Sequence, residues 1–171
     1  MNNVTTRSLV VASAAFVAAA TLGCGGGGDA VLDCPAALQT CDTATNAGEL
    51  EGDSSNTVAL TQTGSGSAFI SALVREVSFD NTSISVRGTI GSIDQTTYDV
   101  LLYVPPDSTA SACGQPPLAS TNSVVDASWP DTYDGSSQDR KVVFQVRPRS
   151  GTCGGGWILV IQGNATSVTT Q

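Results

Sequence analysis

From about residue 57 the apolar side chains recur at every second position. In Ser83-Ile84-Ser85-Val86-Arg87-Gly88-Thr89-Ile90 that spacing puts Ile84, Val86 and Ile90 on one face and polar side chains on the other. Such alternation predicts a half-buried strand. Val74, Val77 and Phe79 come earlier, and Asp80-Asn81-Thr82 is turn chemistry, so a hairpin is expected between 70–79 and 83–91. A second strand is predicted over 97–104, stopped by Pro105-Pro106, and a third over 141–147, stopped by Pro148. A fourth covers 157–162 and ends at Gly163-Asn164, and weaker candidates lie at 57–63, 118–125 and 165–169. No segment of this region repeats apolar residues at helical spacing over three turns, so little helix is expected. Short strands between Gly, Pro, Ser and Asn turns predict an all-β fold, an antiparallel β-sandwich of jelly-roll or immunoglobulin-like type.

The first 23 residues have a different grammar. Arg7 is their only charge, residues 9–20 are an apolar run, and Thr21-Leu22-Gly23 leads to Cys24. A charged start, a short apolar stretch and small residues before a cut site describe a signal peptide, and the run is short for a membrane span. The cut resembles the lipobox of bacterial lipoproteins, although Thr21 holds the place where that pattern prefers Leu. The resemblance implies a lipid on Cys24 and a membrane partner reached through it. Gly25 follows Cys24 in place of the aspartate that serves as a retention cue, which implies the outer membrane or the cell surface. Residues 24–56, beginning Gly25-Gly26-Gly27-Gly28, hold few large apolar side chains and read as a tether. The expected organisation is therefore 1–23 signal peptide, 24–56 tether and 57–171 sandwich.

Cysteine parity agrees with a lipidated Cys24. Of the five cysteines, Cys34, Cys41, Cys113 and Cys153 remain, an even set that implies two disulfides in an exported protein. A bridge from Cys34 to Cys41 closes a small local loop. One from Cys113 to Cys153 ties two loops, provided the strands before them run the same way. Four cysteines allow three connectivities, and spacing does not exclude the other two.

Charge and composition remove whole classes of function. There is no histidine, so triads with an imidazole base and His-ligated metal sites are out. Seven basic against fifteen acidic residues, a net charge of −8, is the wrong sign for nucleic acid. The only glutamates are Glu49, Glu51 and Glu76, two of them in the tether, which argues against a paired-carboxylate glycosidase. A Ser-Lys dyad has only Lys141 to draw on, at the start of a strand beside Arg140. Asp126, Asp131, Asp134 and Asp139 lie close together, but without the spacing of a calcium loop they read as a solvated turn region. Trp157 opens an apolar strand and is expected in the core. Trp129 and Tyr133 sit in a polar loop and are the candidate ligand-binding aromatics. No catalytic, cofactor or metal residue is assigned.

The later strands resemble a family. Tyr98-Asp99-Val100-Leu101-Leu102-Tyr103-Val104, then Leu118-Ala119-Ser120, then the closing Gly155-Gly156-Trp157-Ile158-Leu159-Val160-Ile161-Gln162-Gly163 are similar to the bacterial pre-peptidase C-terminal domain. That is a small sandwich appended to secreted peptidases. The Cys113 and Cys153 pair is not general in that family, and neither segment expected ahead of the domain, 1–23 or 24–56, reads as a peptidase. The likeness implies a sandwich with a binding or accessory role and carries no catalytic residue across. The expected function is an envelope-anchored module that binds protein or glycan. The alternatives are a structural lipoprotein without a discrete ligand and, third, a hydrolase.

Overall fold

The computed structural model describes residues 32–54, 59–78, 83–120, 123–132 and 137–164. Nine strands run in chain order: β1 (Thr45–Glu51), β2 (Ala59–Ser65), β3 (Ala68–Arg75), β4 (Ile84–Ser92), β5 (Thr97–Tyr103), β6 (Leu118–Ser120), β7 (Val124–Trp129), β8 (Arg140–Ser150) and β9 (Gly156–Gly163). They form a five-stranded sheet, β1-β3-β8-β5-β6, packed on a four-stranded sheet, β2-β9-β4-β7. Helical structure among the described residues is limited to two 3₁₀ turns, Cys41–Thr43 and Ala112–Gly114. The fold is the expected disulfide-stapled all-β sandwich. All strand pairs are antiparallel except β1 with β3, which is parallel.

Period-two alternation builds the core. Ile84, Val86 and Ile90 of β4, with Trp157, Leu159 and Ile161 of β9, face Val142, Phe144 and Val146 of β8 and Val100 and Leu102 of β5. Glycines make room for the largest of these. A Cβ at Gly88 would lie 2.5 Å from the Phe144 ring, and one at Gly64 would lie 2.4 Å from Trp157. Trp157 is buried as expected, and its indole N–H donates to the Gly66 carbonyl at 2.9 Å.

Several expectations are corrected. The sandwich does not start at 57. Residues 45–51, placed in the tether, are β1, and its Leu50 is buried in the core. Asp53 is buried too, and its carboxylate accepts the Val77 and Ser78 backbone N–H groups at 3.0 and 2.9 Å. The proposed hairpin is absent, because β3 and β4 lie in different sheets. The reason is lateral: β3 is hydrogen-bonded to β1 along one edge and to β8 along the other, so no edge is left for β4 and the chain crosses to the other layer. Likewise 118–125 is not one strand: Ser123, at φ 62°, separates β6 from β7, which belong to opposite sheets. Pro148 does not end β8. The ladder with β5 shifts register there, pairing Tyr98 with Pro148 and Thr97 with Ser150 and skipping Arg149. An irregularity accommodates a residue that cannot donate to the ladder. The weak candidate at 165–169 lies outside the described residues.

Candidate functional site

The disulfides join Cys34 to Cys153 and Cys41 to Cys113, so both expected pairings are replaced. The condition for a Cys113–Cys153 bridge fails. β5 and β8 are antiparallel neighbours, so the loops that follow them leave the sheet at opposite ends. Cys34 and Cys41 do not close on each other, since each is held by a different part of the sandwich. The chain between them becomes a strap, residues 34–41, clamped at both ends.

The strap belongs to the outer face of the five-stranded sheet. Val143 of β8 and Leu101 of β5 alternate away from the core, yet only 3% and 6% of their surfaces are exposed. Ala112 is buried as well, on the 3₁₀ turn that packs on β8. The long β5–β6 connection therefore folds back over this face. The Cys41–Cys113 bridge links its turn to the turn at the end of the strap, which packs on β3. Beside this cover lie Phe69 and Tyr103, with ring centroids 6.5 Å apart, and the Tyr103 hydroxyl donates to Gln145 Oε1 at 2.8 Å. Arg147 and Asp99 form a loose ion pair at 4.0 Å. Two open grooves flank the strap. One, of about 520 Å³, lies between the strap and Phe69, Asp99, Gln145 and Arg147. The other, of about 570 Å³, lies between the strap and β2.

The strap itself is restrained from within. Pro35 follows the first clamp with its φ fixed by the ring. At the other end the Thr40 backbone N–H donates to Thr43 Oγ1 at 2.8 Å, and Thr43 N–H donates to the Thr40 carbonyl at 3.1 Å. These two bonds fix the chain as it enters the 3₁₀ turn. Between these anchors Ala36, Ala37, Leu38 and Gln39 make no backbone hydrogen bond among the described residues. The chain bends at Leu38 and Gln39, and the Leu38 side chain is 102% exposed, more than any other large apolar residue described.

The residues singled out from sequence do not gather here. Trp129 is 4% exposed and belongs to the core, which corrects its place among the ligand aromatics. Its indole N–H donates to the Gln138 carbonyl at 3.0 Å, and the Arg140 guanidinium stacks 4.8 Å from its ring centroid. Burial pulls the Arg140 pKa below its ordinary value, against the opposing charge of Asp107. Tyr133, Asp134 and Cys24 lie outside the described residues. The remaining acids of the 126–139 stretch disperse. Asp126 pairs with Arg87 at 3.8 Å, Asp131 is buried, and Asp139 accepts the Glu76 N–H at 2.9 Å and approaches Arg75. Among the described residues no group of three or more acids or cysteines is placed to hold a metal. The strap was missed because Leu38 reads as one apolar residue in a polar tether. The signal available was the pair of cysteines bracketing it.

No family model matches the chain, and no curated protein or solved structure matches it either.

Proposed function

We propose that this protein is an exported, lipid-anchored module that presents a binding surface at the cell envelope, with the strap side of the five-stranded sheet as its binding face. The observation that carries this reading is the clamped strap with Leu38 in solvent. A large apolar side chain held fully exposed on a restrained loop has no role in folding, and here it stands on a strap flanked by two open grooves, concave surfaces of the kind that take ligands. The disulfides support export, since such bridges persist in oxidising compartments. They also use four of the five cysteines and leave Cys24, the one the lipobox resemblance assigns to lipid.

The test has two parts on protein from its native membrane fraction. Intact mass should equal residues 24–171 plus acyl chains. Photo-crosslinking from position 38 should yield a discrete envelope partner, and the same label at exposed Ile93 should not. An unlipidated mass in the medium would refute the anchor. Equal, diffuse labelling from both positions would refute the binding face and favour a structural lipoprotein.

A further inference from the structure

We propose that the strap is a recognition loop for a serine endopeptidase with an apolar primary-specificity pocket, and that it acts as a tight, slowly cleaved inhibitor. This rests on the reading of the strap as the binding face and names its partner. Such a peptidase reads an exposed segment of chain through its backbone and fits one side chain into a pocket whose lining sets specificity. The strap offers each element. Leu38 stands free for the pocket, and Ala36, Ala37 and Gln39 beside it have backbone groups unused within the described chain. The preceding residues, Pro35-Ala36-Ala37, are small and present little to clash with the cleft walls.

The clamps distinguish this loop from an ordinary substrate. Leu38 is four residues from the Cys34–Cys153 bridge, and Gln39 is two from the Cys41–Cys113 bridge. A loop already held in one conformation loses little freedom on binding, which raises affinity without new contacts. In the reaction the peptidase serine hydroxyl adds to the Leu38 carbonyl. The peptidase's own base passes the hydroxyl proton to the Gln39 nitrogen as the Leu38–Gln39 bond breaks. An acyl ester and a free Gln39 amine result. A linear peptide would now lose its amine product. Here the Gln39 end stays bridged to the sandwich beside the ester, so its attack reforms the peptide bond and returns the serine hydroxyl. Water competes with a neighbour held at high effective concentration. The ester is hydrolysed to the Leu38 carboxylate only slowly.

The experiment uses the full oxidised chain against chymotrypsin, subtilisin and elastase, with trypsin as control, reading residual activity on a chromogenic substrate. Inhibition of at least one of the first three and none of trypsin is expected. Leu38→Gly should weaken it by about 30-fold or more, as expected for a central anchor. Leu38→Lys should transfer inhibition to trypsin. Position 38 contributes nothing to the core, so both variants should keep the parent's circular dichroism. Mass spectrometry should place slow cleavage at Leu38–Gln39. Full activity of all three peptidases would overturn the proposal, and so would cleavage as fast as that of the linear peptide Pro-Ala-Ala-Leu-Gln-Thr. If the peptidase assay fails while position 38 still crosslinks a discrete partner, only the peptidase assignment falls. If both fail, the binding face falls with it.

Discussion

At Gly88 the missing side chain is what allows the Phe144 ring to lie between the sheets, since a Cβ there would meet it at 2.5 Å. Phe144 is fully buried among strands on every side and has little room to retreat. Gly88→Ala should therefore destabilise the protein by about 1–3 kcal/mol, seen as a lower urea midpoint at unchanged slope. Gly114→Ala, with nothing within 4 Å of the added carbon, should stay within about 0.5 kcal/mol of the parent. Asp94 illustrates a local electrostatic device. Hydrogen bonds from the Thr96 hydroxyl and N–H and from the Gly156 N–H hold its carboxyl below the ordinary value. The last of these joins the β4–β5 turn to the start of β9. A carboxyl lowered in the folded state stabilises it above the unfolded pKa, near 3.9. The benefit disappears as pH falls through the lower folded value. Asp94→Asn should therefore shrink the loss of stability between about pH 5 and pH 2 in urea titrations. A variant with the parent's full acid sensitivity would refute that role.

Among the elements, β4 and β9 were legible in the sequence because each alternates buried with more exposed positions, and β5 and β8 because each is a short apolar run beside a proline. β1 was not. Thr45-Asn46-Ala47-Gly48-Glu49-Leu50-Glu51 has one large apolar residue, and glycine and asparagine are depleted in strands. It is a strand because β3 offers it an edge, in a parallel pairing of residues distant in the chain, with a register shift between Asn46 and Glu49. Leu50 supplies its contribution to the core. Leu50→Ala should cost about 2–5 kcal/mol by thermal or urea unfolding, the range for a large-to-small change at a buried site. A true tether position would show almost nothing. The aromatics misled in a related way. Trp129 has polar neighbours along the chain, but it ends β7 pointing inward, where Arg140 and the Gln138 carbonyl satisfy it.

For the molecule as a whole the two bridges are nested, since the 34–153 loop encloses the 41–113 loop. Each alone would stabilise the fold by roughly 4–5 kcal/mol in the chain-entropy model. Nesting makes the second closure cheaper once the first exists. Removing either pair by serine substitution should therefore cost less than its isolated value, and removing both should cost more than the two single losses combined. Strict additivity in urea unfolding of the four proteins would refute the nesting argument. Non-reducing peptide maps should contain linked fragments bearing 34 with 153 and 41 with 113.

The sequence by itself determined the period-two strands, the all-β sandwich, the burial of Trp157 and the entry of four cysteines into disulfides. These follow from local alternation and from counting, which need no knowledge of neighbours. Only the tertiary structure decided which cysteines meet, that β1 joins the sandwich, that β3 and β4 part company, and that Leu38 is left in solvent. Each of those depends on strand order and direction. A cysteine's partner is whichever thiol the sheet brings within about 4.4–6.8 Å between Cα atoms, and spacing along the chain does not encode that distance.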